Sequence, residues 1–251
     1  MFTRECWYDN LTKGKHYVYY FGVMMDTNIT TKNDDLAQMR LIINSVLSAQ
    51  PDNSYRSSAR AEILTHAISV FSTRGLERTT VQHLLDAASV SRRTFYKYFK
   101  NKHDVLESIY EIFVEHMVQF FKVQAEGAST VRDIISNTFS MYFDYHLSLG
   151  AMIRLMAEEA RRMESVLWPH REKAFQSTAQ VLQTEMYRVS GRKHDLLVFH
   201  TIIWTLEGCS LQLLNQTDCS PQTLANYKDI VTGIAEAILV DGTAPALFVA
   251  Q

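Results

Sequence analysis

The chain has 251 residues, 47% of them hydrophobic, with a formal net charge of −2 and three cysteines. This length suits one large or two small domains with a substantial core. The few cysteines form no CxxC pair, which excludes a disulfide scaffold and fits a protein of the reducing cytoplasm. The longest apolar segment, Leu196–Leu214, is interrupted by His200, Glu207 and Gln212, so it predicts a buried bundle helix and no membrane partner.

The charge is distributed unevenly along the chain. Residues 56–103 carry nine Lys or Arg and three Asp or Glu, a net charge of +6. Residues 104–251 carry eleven Lys or Arg and eighteen Asp or Glu, a net charge of −7. This asymmetry predicts a polyanion-binding segment followed by a module with a different purpose.

Apolar residues recur at helical spacing nearly throughout, and only four prolines and nine glycines interrupt them, which predicts an all-α protein apart from its first residues. Within residues 1–33, "HYVYYFGVMM" is either a short strand or a disordered aromatic arm. The segment is a poor signal peptide because no small-residue cleavage site follows, and translation from Met24 or Met25 is an alternative. A helix is expected over 34–49, ended by "QPDN".

The helical pattern is densest from residue 57 onward. The apolar stripe of the first helix there, which Gly75 ends, consists of Ile63, Leu64, Ala67, Ile68 and Phe71. A second, short helix is predicted to begin at Thr79 or Thr80, with Gln82 as a capping-box partner of Thr79. Its buried residues are expected to be Val81, Leu84 and Ala88.

After a turn at "SV", a third helix is predicted with Ser91 as its cap. Phe95 and Phe99, four residues apart, would anchor one side of this helix. Asn101 is expected to cap a long fourth helix over about 101–124, with Asp104 in its first turn, where the helix dipole favours an acid.

Two short helices joined by a tight turn, the second of them basic, are typical of a helix-turn-helix. Reading the major groove requires apolar anchors on one side of the second helix, donors to base edges on the other, and phosphate contacts at its ends. Arginine can donate two hydrogen bonds to guanine, and threonine can contact a thymine methyl group or a phosphate. A solvated basic helix pair in some other bundle is the alternative.

The run "RAEILTHAISVFSTRGLERTTVQHLLDAASVSRRTFYKYFKNKHDVLESI" resembles the three-helix DNA-binding domain of the TetR/AcrR family of bacterial transcription regulators. The matching features are the anchors of the first helix, Gly75, the Thr-Thr pair and "VSRRTFYKYFKNK". The resemblance implies that the following residues bind DNA: Thr80, Arg92, Arg93, Thr94, Tyr96, Lys97, Tyr98 and Lys102. Ser91, the predicted cap of the third helix, is included in the predicted DNA-binding site as well.

Two features depart from the family pattern. Ser89 stands in the turn where the family usually has glycine, which suits a backbone that needs positive φ. The extension before the first helix is longer than usual in the family, and it could brace the first helix or add a minor-groove arm.

Further helices are predicted over about 129–149, 150–163, 164–190, 194–216 and 220–240, the last started by Ser220-Pro221. Residues 104–215 are rich in Met and aromatic side chains, which mostly form core but together suit a pocket for a bulky apolar ligand. The predicted ligand-binding residues are Tyr142, Met152, Met156, Phe175 and Trp204. The excess of acidic residues favours a neutral or cationic ligand, although Arg154, Arg161 or Arg162 could receive a carboxylate.

Nothing in the sequence indicates catalysis or a cofactor. The histidines lie singly, no HExxH occurs, and no GxSxG or Gly-rich phosphate loop is present, so we predict no catalytic residues, no metal site, no cofactor and no enzymatic activity. A metal effector held by histidines of separate helices is the alternative.

We therefore predict an all-α protein with an N-terminal three-helix helix-turn-helix domain followed by a larger helical ligand-binding and dimerisation domain. The expected limits are 1–55 for an extension, 56–103 for the DNA-binding domain and 104–251 for the effector domain. The predicted function is a cytoplasmic, nucleoid-associated homodimeric repressor that binds a double-stranded, near-palindromic DNA operator and a small apolar effector. The alternative is an architectural or division-control DNA-binding protein without a ligand.

Overall fold

The computed structural model describes residues 17–20, 23–26, 41–43, 59–216 and 220–240. Its strands and helices, labelled in chain order, are β1 (Tyr17–Tyr20), β2 (Val23–Asp26), α1 (Ala59–Arg74), α2 (Val81–Ala88), α3 (Arg92–Tyr98), α4 (Lys102–Glu126), α5 (Val131–Ala160), α6 (Trp168–Ser190), α7 (Leu196–Leu214) and α8 (Pro221–Leu239). The chain forms two compact units. The first consists of the residues up to Lys102 together with residues 148–150, and the second consists of residues 103–147 and of those from Ala151 onward. The all-α prediction is confirmed, with one small hairpin added.

The hairpin lies in the segment for which a strand or an arm was predicted. β1 and β2 pair in antiparallel fashion, with Tyr17 opposite Asp26 and Tyr20 opposite Val23, so the strand alternative is correct for these residues. The helix predicted over 34–49 is observed at residues 41–43. The rest of that helix and of the extension lies outside the described residues.

The core of the first unit is the predicted stripe of α1. Ile63, Leu64, Ala67, Ile68 and Phe71 have no exposed surface. Such burial contributes roughly 1.5–3 kcal/mol for each large apolar side chain. The chain leaves α1 at Gly75, whose φ of 72° lies in the left-handed region that glycine adopts without strain.

The start of α2 is the second of the two predicted starts, and only the predicted capping-box pair is shifted by one residue. Thr80, not Thr79, is the N-cap, and its side chain accepts from the backbone N–H of His83, whose ring accepts from the N–H of Thr80. Thr79 is buried, and its hydroxyl donates to the carbonyl of Gly75 over 2.7 Å. The capping box is therefore shifted, with His83 in place of Gln82. Val81 is only half-buried.

The turn between α2 and α3 has the left-handed geometry that the family pattern implied. Ser89 adopts φ 53° and ψ 37°, the one positive φ outside glycine among the described residues. Its backbone N–H donates a hydrogen bond to the carbonyl of Asp86 at the C-terminal end of α2. Serine at this position carries a conformational cost of about 1 kcal/mol because its Cβ crowds the backbone there.

Ser89→Gly is expected to raise the free energy of unfolding by up to about 1 kcal/mol, because glycine relieves this strain while keeping the turn. Chemical denaturation should show a higher midpoint with an unchanged slope. Gly75→Ala is the matched control: space is open around its Cβ position, but φ is positive, so a loss of about 1 kcal/mol is expected. A lower midpoint for Ser89→Gly would contradict the strain assigned to the turn.

In the second unit the predicted helices are present. The segments predicted as 129–149 and 150–163 together make up α5, and the predicted boundary between them coincides with a kink at Gly150, where φ is 51° and ψ is −128°. Thr130 caps α5 in a capping box with Asp133. α6 begins at Trp168, later than the predicted 164, because residues 161–167 form turns. The cap by Ser220 with Pro221 in the first turn of α8 is confirmed.

Helix α7 is long and apolar enough to be a candidate membrane span. Half of its most apolar stretch is buried within the protein, and one of its buried residues is Glu207, which is ion-paired. These features are those of a bundle core helix, as predicted.

Candidate functional site

Helix α3 has one buried side and one exposed basic side. Phe95 is fully buried and Phe99 nearly so, and their ring centroids lie 5.8 Å apart. Arg92, Arg93 and Lys97 are exposed, as is Tyr96, half of whose surface is accessible. Thr94 and Tyr98 are half-buried at the margin. The anchors thus fix the helix so that its cationic side chains face solvent together.

The cap of α3 also orders its first turn. Ser91 Oγ accepts the backbone N–H of Thr94 over 3.1 Å, and the two hydroxyls lie 2.8 Å apart. Arg92 Nη2 donates to Gln82 Oε1 over 3.1 Å, while Gln82 donates to Asp86 over 2.7 Å. The guanidinium of Arg92 is therefore held in place by α2, a contact that the sequence pattern did not indicate. Lys97 lies 5.2 Å from the ring centroid of Tyr98.

The two outlying predicted DNA-binding residues have local structural roles. Thr80 is exposed and caps α2. Lys102 Nζ donates to the carbonyl oxygens of Leu76 and Glu77, over 2.8 and 3.1 Å. Because these bonds join the start of α4 to the loop after α1, Lys102 stabilises the first unit in addition to any phosphate contact.

A cavity lies within the second unit, between helices α4, α5, α6 and α7. It contains about 690 Å³ of empty space, part of which is open to solvent. It is lined by Tyr110, Phe113, Val114, Met117, Val118, Phe121, Tyr142, His146, Ile153, Met156, Ala157, Ala174, Phe175, Thr178, Ile203, Leu206 and Glu207. A mostly apolar wall with a few polar groups is the usual character of a small-molecule site.

Three of the five predicted ligand-binding residues line this cavity, namely Tyr142, Met156 and Phe175. The other two do not. Met152 is buried in the core away from the lining, and Trp204 is 47% exposed, with its ring near that of His200. The helical repeat explains why Trp204 lies outside the lining, because each residue turns the helix by about 100° and the next position after Ile203 points elsewhere.

The polar end of the cavity is formed by Glu207. Its two carboxylate oxygens accept hydrogen bonds from Nε and Nη2 of Arg171, over 2.7 and 2.6 Å, and both side chains are buried. Arg171 Nη1 donates to Glu172 over 2.7 Å. Burial alone would lower the pKa of Arg171, but the hydrogen bonds and charge of Glu207 outweigh it and the pKa is raised.

The other titratable groups that line the cavity are neutral. Burial lowers the pKa of His146 to about 3, and its Nδ1 lies 2.5 Å from Ser210 Oγ. Burial, and secondarily the charge of Glu207, raise the pKa of Tyr110 and of Tyr142 well above its usual range. At neutral pH all three rings are therefore uncharged.

The roles of Arg171, Glu207 and His146 at the cavity were not predicted from the sequence. Arg171 and Glu207 are 36 positions apart on different helices, and no spacing rule joins such residues. The signal that existed was Glu207 itself, an acid inside the most apolar helix, because a buried carboxylate requires a partner. In the described ranges, no group of three or more His, Cys, Asp or Glu side chains is placed to hold a metal ion.

Part of the chain is similar to known regulatory proteins. Residues 63–109 match the family model described as "Bacterial regulatory proteins, tetR family". The HTH-type transcriptional repressor KstR2 of Mycolicibacterium smegmatis is 26% identical over 117 residues, 46% of this chain and 57% of the relative. The fatty acid metabolism regulator protein of Bacillus subtilis is 29% identical over 99 residues, 38% of this chain and 51% of the relative. The chain thus spans about half the length of these curated relatives.

Solved structures share the fold at lower identity. The transcriptional regulator FadR from Bacillus subtilis, in complex with stearoyl-CoA, superimposes with a TM-score of 0.58 at 19% identity, covering 72% of this chain and 97% of that one. FadR from Bacillus halodurans gives a TM-score of 0.56 at 21% identity, covering 68% and 97%. These similarities extend through the helices that follow the helix-turn-helix, and they establish the fold.

Proposed function

We propose that the chain is a transcriptional repressor of the tetR family, which binds a near-palindromic operator as a homodimer and is released by a small apolar effector; the match of residues 63–109 to the model of that family supports this proposal. The single observation that carries the DNA-binding part is the exposed basic side of α3, held by the buried Phe95 and Phe99. The relatives are transcriptional regulators, and a repressor acts in the cytoplasm, at the nucleoid.

In this proposal residues 56–103 form the DNA-binding domain and residues 104–251 the effector and dimerisation domain, with 1–55 as an extension. Arg92 and Arg93 donate to base edges from α3. The remaining contacts to bases or phosphates are assigned to Thr80, Ser91, Thr94, Tyr96, Lys97, Tyr98 and Lys102, of which Lys102 would use the N–H group not engaged by the loop carbonyls.

Arg92→Ala and Arg93→Ala are each expected to relax the preference for one base pair in each half-site, at a cost of about 1–3 kcal/mol. Arg74→Ala, which removes an equal charge from the exposed end of α1, should leave the preference unchanged. Binding to a library of randomised sites separates the two effects, since preference and overall affinity are measured together. If both α3 variants kept the preference of the unaltered protein, their assignment to base contacts would be wrong.

The effector is proposed to bind in the cavity of the second unit. The lining is dominated by aliphatic, Met and aromatic side chains, which suit an apolar molecule. That a regulator of the same fold is found in complex with stearoyl-CoA supports a ligand with a long apolar part. In a dimer the two recognition helices can be held at a spacing that fits the operator or at one that does not. A ligand releases the operator only if it binds the second state of the dimer more tightly than the first.

The dimer interface is proposed on α7 and α8. Four large apolar residues of these helices are exposed, namely Leu197 at 54%, Trp204 at 47%, Ile230 at 62% and Ile234 at 48%. A groove between the two helices is lined by Val198, Thr201, Ile202, Thr205, Val231, Ile234, Ala235 and Ile238. A second copy covering this surface would complete a four-helix bundle and bring two recognition helices to one turn of DNA.

Genome-wide mapping of bound sites, with and without apolar compounds, tests this function. A few tight, near-palindromic sites that are vacated on addition of a compound are expected. Broad coating of the chromosome without a shared sequence would instead favour an architectural protein.

A further inference from the structure

The cavity presents no free positive charge. No Lys or Arg belongs to its lining, and the cation nearest its polar end is Arg171, which is buried behind Glu207. All three guanidinium nitrogens of Arg171 donate to carboxylates, those of Glu207 and Glu172. Three of the five guanidinium N–H groups of Arg171 are thus engaged by carboxylates, and its positive charge is balanced by that of Glu207.

Two aromatic rings lie close to the guanidinium. The Arg171 Cζ atom lies 4.2 Å from the ring centroid of Phe175 and 5.6 Å from that of Trp168. Cation–π contacts of this kind add to the hydrogen bonds of a buried arginine. The position of Arg171 is thus supported both by carboxylates and by aromatic rings.

The remaining polar groups of the lining are neutral hydrogen-bonding groups. They are the phenols of Tyr110 and Tyr142, the hydroxyl of Thr178 and the imidazole of His146, whose pKa is lowered by burial. Glu207 is the one charged side chain of the lining. A carboxylate placed in the cavity would lie beside this like charge, which disfavours its ionised form.

We infer that the cavity selects an uncharged apolar ligand, and that Glu207 sets this selectivity by occupying Arg171, which would otherwise receive an anionic group. The inference rests on the proposed function, because it specifies the effector of that site. An anion could take the place of Glu207 on Arg171 only by displacing this carboxylate, which would then keep only the half-exposed Arg161, 3.8 Å away, as its partner.

The test compares dodecanol and dodecanoate, which have equal chain lengths and differ in charge. Calorimetric titration of the full chain at neutral pH is expected to show dodecanol bound at least about tenfold more tightly, because a buried like-charge contact costs several kcal/mol. Glu207→Gln frees Arg171 and should reverse this preference. Glu172→Gln is the matched control: it removes the other carboxylate partner of Arg171, outside the lining, and should keep the original preference.

A second variant covers the case in which Glu207→Gln does not fold. In the double variant Arg171→Met/Glu207→Leu, apolar side chains replace both charges, a change that buried ion pairs often tolerate. It should bind dodecanol at least as tightly as the unaltered protein and should still reject dodecanoate. Gain of dodecanoate binding by the double variant would overturn the role assigned to the Arg171–Glu207 pair.

Operator release, measured in parallel, separates this inference from the proposed function. Tighter binding of dodecanol without release of DNA would support the selectivity and contradict the effector role. Dodecanoate that binds as tightly as dodecanol and releases DNA would overturn the selectivity and leave the repressor function intact. If neither compound bound the unaltered protein, the inference would be overturned.

Discussion

Ile234→Glu is expected to convert the dimer into a monomer and to weaken operator binding by at least about 100-fold, because a monomer loses the linked second half-site. Ile234 is 48% exposed and lines the groove between α7 and α8. A second copy packed on this groove would enclose the new carboxylate without a partner, and an unpaired buried charge strongly disfavours association.

Val123→Glu provides the control, since it places the same charge on an exposed apolar position of α4, outside the proposed interface. That variant should remain dimeric and bind DNA normally. Sedimentation equilibrium measures the assembly, and titration of a labelled operator measures the affinity. An unaltered protein that sediments as a monomer would contradict the dimer, as would an Ile234→Glu variant that remains dimeric.

Arg171→Met is expected to lower the free energy of unfolding by up to about 3–5 kcal/mol, because the buried Glu207 loses both of its hydrogen bonds to Arg171 and keeps only the half-exposed Arg161, 3.8 Å away. The double variant Arg171→Met/Glu207→Leu should recover most of this loss, since both charges are then absent. Arg132→Met, which breaks the more exposed pair between Arg132 and Glu236, should cost no more than about 1 kcal/mol. Urea denaturation measures all three values.

The helix-turn-helix could be predicted in detail because its signals are local. The apolar stripe of α1, the cap at Ser91 and the pair Phe95 and Phe99 each depend on residues within a few positions of one another. The capping box of α2 was predicted one residue too early because either of two adjacent threonines could cap the helix. Only the packed structure buries Thr79 against the carbonyl of Gly75 and leaves Thr80 to cap the helix.

The cavity could be predicted only in part, because it depends on contacts between distant helices. A pocket rich in Met and aromatic residues was indicated by composition, but composition does not tell which side of α7 faces inward. Trp204 was therefore chosen, whereas Ile203, Leu206 and Glu207 form the wall. The link between Arg171 and Glu207 joins two helices and has no signature in either one.

The most direct test of ligand-responsive repression is titration of the operator complex with apolar compounds, following DNA release and tryptophan fluorescence together. We predict that a compound which perturbs the fluorescence also releases the DNA. We further predict that Ala174→Met, which fills part of the cavity, retains operator binding and loses this release. If no apolar compound released the DNA while a metal ion or a partner protein did, the cavity would not be the effector site.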